Sequence, residues 1–223
     1  MAVTHIFFGG IGTLVETSEL QLEAFNRAFD ENNIDYKWNR DSYIRSLSSS
    51  GGQQRLKMIK LQDGSKLQDQ QVSQVHADKT RIYNQLMREQ GLELRVGASE
   101  LFNSARHQGV KLVWATTTSQ NNIDAILDAT ASNLKKDMFL QITNEALITK
   151  QKPDPEVYIK LLSSLNLDSD HVLAIEDSAC GVASANGAGL LTLAFPGEMT
   201  SQTEFSGSYE NIASLANAVS YLD

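Results

Sequence analysis

The chain has one cysteine, Cys180, in 223 residues, so no intrachain disulfide can form. Proline is scarce, at three residues, and no Gly/Ser-rich linker interrupts the sequence, so any hinge must be short. Basic residues are outnumbered, 19 Lys and Arg against 27 Asp and Glu, for a net charge of −8. That deficit argues against nucleic acid and anionic membrane as partners, because both need a basic face. It leaves small phosphorylated ligands open, since a few local cations suffice for those. No apolar run approaches the roughly 18 residues of a membrane span. The opening MAVTHIFFGG lacks the basic segment and longer apolar stretch of a signal peptide. A reducing cytoplasm is the expected compartment and a monomer the expected state.

What the chain does have is alternation. THIFF (4–8), KLVWAT (111–116), HVLAIE (171–176) and LLTLAF (190–195) are short apolar runs ending at polar or glycine residues, the pattern of buried parallel strands. MFLQIT (138–143) is a weaker strand. Helical stretches over 98–108, 119–130, 155–165 and 178–187 separate the later runs. Strand–helix alternation predicts an α/β fold, a parallel sheet with helices on both faces. Residues 17–92 break the pattern. SELQLEAFNRAFDEN places Leu20, Phe25 and Phe29 on roughly one helical face, and YIRSLSSSGGQQRLKMIKL and QVSQVHADKTRIYNQLMREQ also read as helical. The expected organisation is a core of 1–16 and 93–223 with an all-helical insert over 17–92, hinged near 15–20 and 91–97.

Ligands of open parallel sheets bind beyond the carboxyl ends of the strands, where this chain carries GGIGT, TTTSQNN and EDSACG, with TKQKPDP ahead of a helix. Glu176 and Asp177 together at a strand end repel each other unless a cation or donor answers them. Metal binding is one reading; helix capping by Asp177 or Ser178 is the other. Thr116, Thr117 and Thr118 lead into a helix and suit either phosphate oxygens or capping. Lys152 stands at a helix entry, facing a ligand or solvated. GGIG fails as a dinucleotide loop, because Val15 occupies the third-glycine place, and no Gly-Lys-Ser/Thr follows it. His5, His76, His107 and His171 show no metal-ligand spacing, and Cys180 reads as a small packed residue.

In their order, GTLVET, WATTTS, KPDPEVY and IEDSACGVASANGAG resemble the haloacid dehalogenase superfamily of phosphatases and phosphomutases over nearly the whole chain. AFNRAFDENNIDYKW, SSGGQQRLKMI, ATTTSQNN and EDSACGVASANGAG look like its CbbY-type, beta-phosphoglucomutase-like branch. Known members of that branch dephosphorylate sugar bisphosphates such as xylulose 1,5-bisphosphate. The resemblance implies a HAD-like Rossmannoid core with the helical insert as a mobile cap. It also implies magnesium at Asp177, Glu176 and the Ile11 carbonyl, with catalysis at the positions of Gly9 and Ile11 assisted by Thr116 and Lys152. A small sugar phosphate would then be contacted by Gln21, Gly51, Gly52, Arg55, Thr117 and Thr118.

The chain departs from that pattern where the chemistry is done. The family's first motif is Asp-x-Asp-Gly-Thr. Here Gly9 and Ile11 stand at its two acidic positions, and no Asp or Glu occurs before Glu16. The first Asp attacks phosphorus and the second moves the proton; glycine and isoleucine do neither. The family's hinge histidine aligns with Gln21. The motif Gly-Gly-Lys-Glu-Arg reads Gly51, Gly52, Gln53, Gln54, Arg55. These changes predict a pseudoenzyme, inactive or severely impaired, with weak or absent magnesium binding. They also predict a site left more positive by the loss of the nucleophile's charge. The alternatives are a phosphatase working by a variant mechanism, with water on an Asp177-bound magnesium, and a non-catalytic interaction module.

Overall fold

The computed structural model describes residues 2–48, 51–131 and 133–222. β1 (His5–Phe8) leads into a one-turn helix, α1 (Ile11–Leu14). A helical insert follows: α2 (Ser18–Glu31), α3 (Arg40–Ser46), α4 (Gly52–Met58) and α5 (Asp69–Gln90). The chain then runs α6 (Ala98–Gln108), β2 (Lys111–Trp114), α7 (Gln120–Ala129), β3 (Gln141–Ile142), α8 (Glu156–Leu165), β4 (Val172–Glu176), α9 (Ala179–Gly187), β5 (Leu191–Ala194) and β6 (Glu210–Asn211).

The strands form one parallel six-stranded sheet in the order β3-β2-β1-β4-β5-β6. Its in-register rows show why the runs carry no polar alternation. Phe7 aligns with Val113 and Ala174, and all three pack on one face with Val157, Tyr158 and Leu161 of α8. Phe8 aligns with Trp114 and Ile175, and these face the opposite layer. Both faces are covered, so the paired rows Ile6–Phe8, Leu112–Trp114 and Leu173–Ile175 are apolar throughout. β1 lies at the centre, and its carboxyl end brings Gly9 between the loops after β2 and β4.

The four main strands and the helices between them fall where the sequence puts them. The 138–143 run shortens to the two-residue β3 at the sheet edge, and β6, with two exposed residues, carried no apolar signal. The segment 43–61 is not one helix. α3 ends at Ser46 and α4 begins at Gly52, after Gly51 at φ +86°, a left-handed conformation that a side chain resists. Residues 49 and 50 of that segment lie outside the described residues. Leu20 is only half-buried; the inward face of α2 is Leu22, Ala24, Phe25, Ala28 and Phe29.

The insert closes on an aromatic cluster. Trp38 lies edge-on to Phe25 and Phe29, at 5.0 and 5.3 Å between centroids, and contacts Tyr36 and Tyr43. α5 lays Val72, Val75, Ile82, Tyr83 and Leu86 against this cluster and continues onto α7, where the Leu92 amide donates to the Ala129 carbonyl at 2.8 Å. One apolar cluster therefore runs from Phe25 and Tyr83 to Phe8 and Ile126. The two linkers meet: Val15 and Leu94 form an isolated antiparallel bridge. No helix among the described residues is long and apolar enough to cross a membrane.

Candidate active site

The loops after β1, β2 and β4, with the segment before α8, converge at one sheet edge. Lys152 is the hub and is buried, not solvated. Its Nζ donates to Glu176 Oε1 at 2.6 Å, to the Ala115 carbonyl at 3.0 Å and to Tyr158 Oη at 3.3 Å. Those three acceptors use all three ammonium hydrogens. Glu176 has no exposed surface; its Oε1 also accepts from the Tyr158 hydroxyl at 2.5 Å. Burial, and next the Glu176 charge, push the Tyr158 phenol well above its ordinary range, so it stays a donor.

Gly9 is what makes room for this network. A Cβ on residue 9 would fall 1.9 Å from the Glu176 carboxyl carbon, and one on Gly181 would fall 2.2 Å from Glu176 Oε2. The carboxylate of Glu176 lies in the space a side chain at residue 9 would enter. The loss of a charge at Gly9 therefore does not leave Lys152 with positive charge to spare, which corrects the sequence-based expectation. Glu176 supplies the neutralising charge.

Asp177 is half-buried overall, but its carboxyl tucks over the loop. Cβ atoms on Gly10 and Gly12 would sit 2.4 and 2.1 Å from its oxygens, and Thr13 Oγ1 donates to it at 3.4 Å. Burial first, then the Glu176 charge, push the Asp177 carboxyl up to about 7, against the pull of Lys152 and Arg95. Helix capping falls to Ser178, whose Oγ accepts from the Gly181 amide at 3.1 Å. Ile11 begins α1; its side chain packs on the core, and its carbonyl accepts from the Val15 amide at 3.1 Å.

The threonine loop is ordered by its own bonds. Thr116 is buried, and its Oγ1 accepts from the Thr118 amide at 3.3 Å, which leaves its own hydrogen to donate. Thr118 Oγ1 accepts from Asn122 Nδ2 at 2.8 Å, Thr117 is half-buried beside it, and Ser119 caps α7.

The insert contributes a second cluster. Gln21 Oε1 accepts from Lys79 Nζ at 3.4 Å, and Gln21 Nε2 donates to Thr17 Oγ1 at 3.3 Å. Lys79 is 6% exposed, with its Nζ 4.4 Å from the Tyr83 ring centroid and 5.0 Å from that of Phe25. Burial, then the Arg55 charge, pull its amine down to about 7. Arg55 is half-buried with its guanidinium 6.0 Å over the Tyr43 ring; it is not simply a solvated helix residue. Gly51 marks the break before α4. Gly52 leaves room for His76, since a Cβ there would sit 2.8 Å from the imidazole. Burial, then Lys79 and Arg55, hold that imidazole at about 4. The insert touches the core beside the acids, where Cys180 Sγ lies 3.8 Å from the Ser48 carbonyl.

Lys79, Tyr158 and Arg95 were missed from sequence. Lys79 had a signal: it interrupts the apolar face Val72, Val75, Ile82, Tyr83, Leu86 at helical spacing. Tyr158 closes the quoted KPDPEVY, one turn into α8.

The donors left for a magnesium ion are few. Magnesium asks for one or two carboxylates free to bind it. Glu176 is committed to Lys152 and Tyr158, which leaves Asp177 and one backbone carbonyl already in use. Among the described residues no three His, Cys, Asp or Glu side chains cluster.

A parallel sheet whose strand-end loops gather threonines, a lysine and two acids, with a helical insert entered just after β1, is an α/β fold of the Rossmann-like kind. The haloacid dehalogenase-like hydrolase family model matches residues 12–195, and the chain belongs to that family. The match begins just past Gly9 and Ile11. Protein CbbY of Rhodobacter capsulatus is 34% identical over 218 residues, covering 98% of this chain and 96% of that protein. The crystal structure of a mutant CbbY from Rhodobacter sphaeroides in complex with xylulose-(1,5)bisphosphate superposes with a TM-score of 0.88 at 32% identity, covering 99% of both chains. A beta-phosphoglucomutase from Clostridium difficile shares the fold at 17% identity, with a TM-score of 0.76 over 96% of this chain and 92% of that one. These place the chain in the CbbY and phosphoglucomutase-like branch.

Proposed function

We propose that this chain holds a small sugar phosphate at the sheet edge and does not turn it over. The observation that carries the reading is the seat of Glu176. Its carboxylate occupies the space at residue 9 and is consumed by Lys152 and Tyr158. No group there can attack phosphorus, and Ile11 has no proton to give a leaving oxygen. In a serine-protease triad, losing the nucleophile costs on the order of 10⁶ in rate. A loss of that size takes an ordinary phosphatase to background.

The groups offered to a ligand are the Thr116 hydroxyl, the loop of Thr117 and Thr118, and the side chains of Arg55 and Lys79 on the insert. The bisphosphate held by the CbbY relative supports a sugar phosphate as the ligand class. The test is an assay of the purified chain, with magnesium, against xylulose 1,5-bisphosphate and an aryl phosphate, paired with calorimetric titration of the same sugar. We expect binding without turnover. Turnover at ~1 s⁻¹ or faster would overturn the inactive reading, and no binding at millimolar sugar would overturn the ligand. Turnover in the Gly9→Asp, Ile11→Asp double variant but not in the parent would assign the loss to those two positions.

A further inference from the structure

The linker returning from the helical insert carries Arg95. The Arg95 amide donates to the Leu14 carbonyl at 2.9 Å, next to the Val15–Leu94 bridge, so its backbone is held against the start of the insert. Its guanidinium then reaches inward. Nη1 donates to the Gly12 carbonyl at 2.7 Å and to the Phe195 carbonyl at 2.8 Å, and Nη2 donates to the Pro196 carbonyl at 2.5 Å. The guanidinium carbon lies 3.4 Å from the Phe195 ring centroid. Among the described residues it closes no ion pair. Its work is geometric: one planar fork, stacked on a ring, joins three carbonyls from two loops.

Those loops frame the site. Gly12 follows Gly9 and Ile11 and lies under the Asp177 carboxyl. The 195–200 segment reaches Asp177 from the other side, where Thr200 Oγ1 donates to the Asp177 carbonyl at 3.1 Å and accepts from the Gly197 amide at 2.8 Å. The outgoing linker grips the same segment, because Glu16 Oε2 accepts from the Glu198 amide at 2.8 Å. A Cβ on Gly197 would fall 2.6 Å from that oxygen, so the approach is tight. Both connections of the insert are thus tied to the one segment that holds Asp177.

We infer that Arg95 is a positioning residue, which sets the path of the Gly9–Thr13 loop and the 195–200 segment and so couples the seat of the insert to the ligand site. Its effect on ligand rests on the phosphate-binding reading above; its effect on the two loops does not.

The test uses the full chain with Arg95→Lys, which keeps charge but loses the fork, and Arg95→Ala, which empties the slot over Phe195. Amide hydrogen exchange reads the loops and calorimetry reads inorganic phosphate. We expect exchange about ten-fold faster over Gly9–Leu14 and Gly197–Thr200 in both variants, the scale of lost hydrogen bonds to a charged group, with α8 and β4 unchanged. Phosphate affinity should fall by about the same factor. A few millimolar guanidinium, far below the molar levels that unfold proteins, should restore both readouts in Arg95→Ala, and methylammonium should not. Parental exchange at both loops in Arg95→Lys would overturn the inference. So would loosening spread evenly over the sheet, or equal rescue by methylammonium. If the parent binds no phosphate, the ligand reading fails while exchange and rescue still decide the role of Arg95.

Discussion

Lys152 and Lys79 are buried to nearly the same depth, 7% and 6% exposed, one at the sheet edge and one in the insert. Lys152 has a carboxylate, a phenol and a backbone carbonyl around its ammonium. Lys79 has the Gln21 amide oxygen at 3.4 Å and the faces of Phe25 and Tyr83. Aromatic faces and one neutral acceptor do not replace the hydration an ammonium loses, so the Lys79 amine sits near 7. The comparison teaches where the unspent charge is. At the sheet edge the cation is matched inside the protein, and in the insert it is not. A partial active site is therefore not automatically an anion trap.

The strongest way to break the comparison is to remove the matched cation. Lys152→Met strands Glu176 in the interior and is expected to cost about 3–5 kcal/mol, read by denaturant unfolding. Adding Glu176→Gln should recover part of that loss, because the unpaired charge goes with it. A Lys152→Met cost no larger than that of Lys79→Met would erase the distinction.

Next in size is the space at residue 9. Gly9→Ala and Gly9→Asp each place a Cβ into the Glu176 carboxylate, so both are expected to destabilise by about 1–3 kcal/mol. The same denaturant series measures this. A neutral Gly9→Ala would mean that Glu176 moves aside freely and that residue 9 does not limit the network.

The pH dependence sharpens the comparison further. The folded value of Lys79 lies below its ordinary 10.5, so the unfolded chain holds more protons between about pH 7 and 10. Stability contributed at this position should rise with pH through that window. Lys79→Met is expected to abolish that slope, and to be neutral or stabilising at pH 7. His76, held at about 4 from 6.5, acts in a separate window. Its contribution rises from about pH 4 to 6.5 and should persist in Lys79→Met. Urea midpoints across pH 4–10 separate the two; an unchanged slope above pH 7 would show that Lys79 keeps its charge.

The smallest expected effect sharpens the reading of Gly52. Gly52→Ala must push on the His76 ring, 2.8 Å from the added Cβ, and should cost less than Gly9→Ala, whose obstacle at 1.9 Å is a carboxylate held by Lys152, Tyr158 and the Asp177 amide. Equal costs in the same unfolding series would show that the imidazole is as firmly seated.

The main strands were legible because β1, β2, β4 and β5 are covered on both faces, and a row such as Phe7, Val113 and Ala174 leaves no polar position to blur the run. β3 and β6 were faint because two residues at a sheet edge bury little. The gap between α3 and α4 was hidden because Gly51 acts through its backbone. At the site, the loop positions could be read along the chain, but the pairings could not. Lys152 could be read as facing a ligand or solvent, but not as paired, because Glu176 stands 24 residues away in the chain and meets it only in the fold. The vacancy implied by Gly9 looked like a surplus of positive charge, since a motif does not show which neighbour leans into the empty volume.

β1 precedes both of its partners in the chain. It lies between β2, whose register begins at Lys111, and β4, whose register begins at Val172. During synthesis the apolar stretch His5–Phe8 must wait through the whole insert, and then through most of the remaining chain, before both edges can pair. Contacts of such sequence separation form slowly and leave strand edges open meanwhile. The local helices of the insert can form first, so nascent chains should pass through a state with a structured helical block and an unpaired N-terminal strand. That exposed strand is the segment a chaperone would meet.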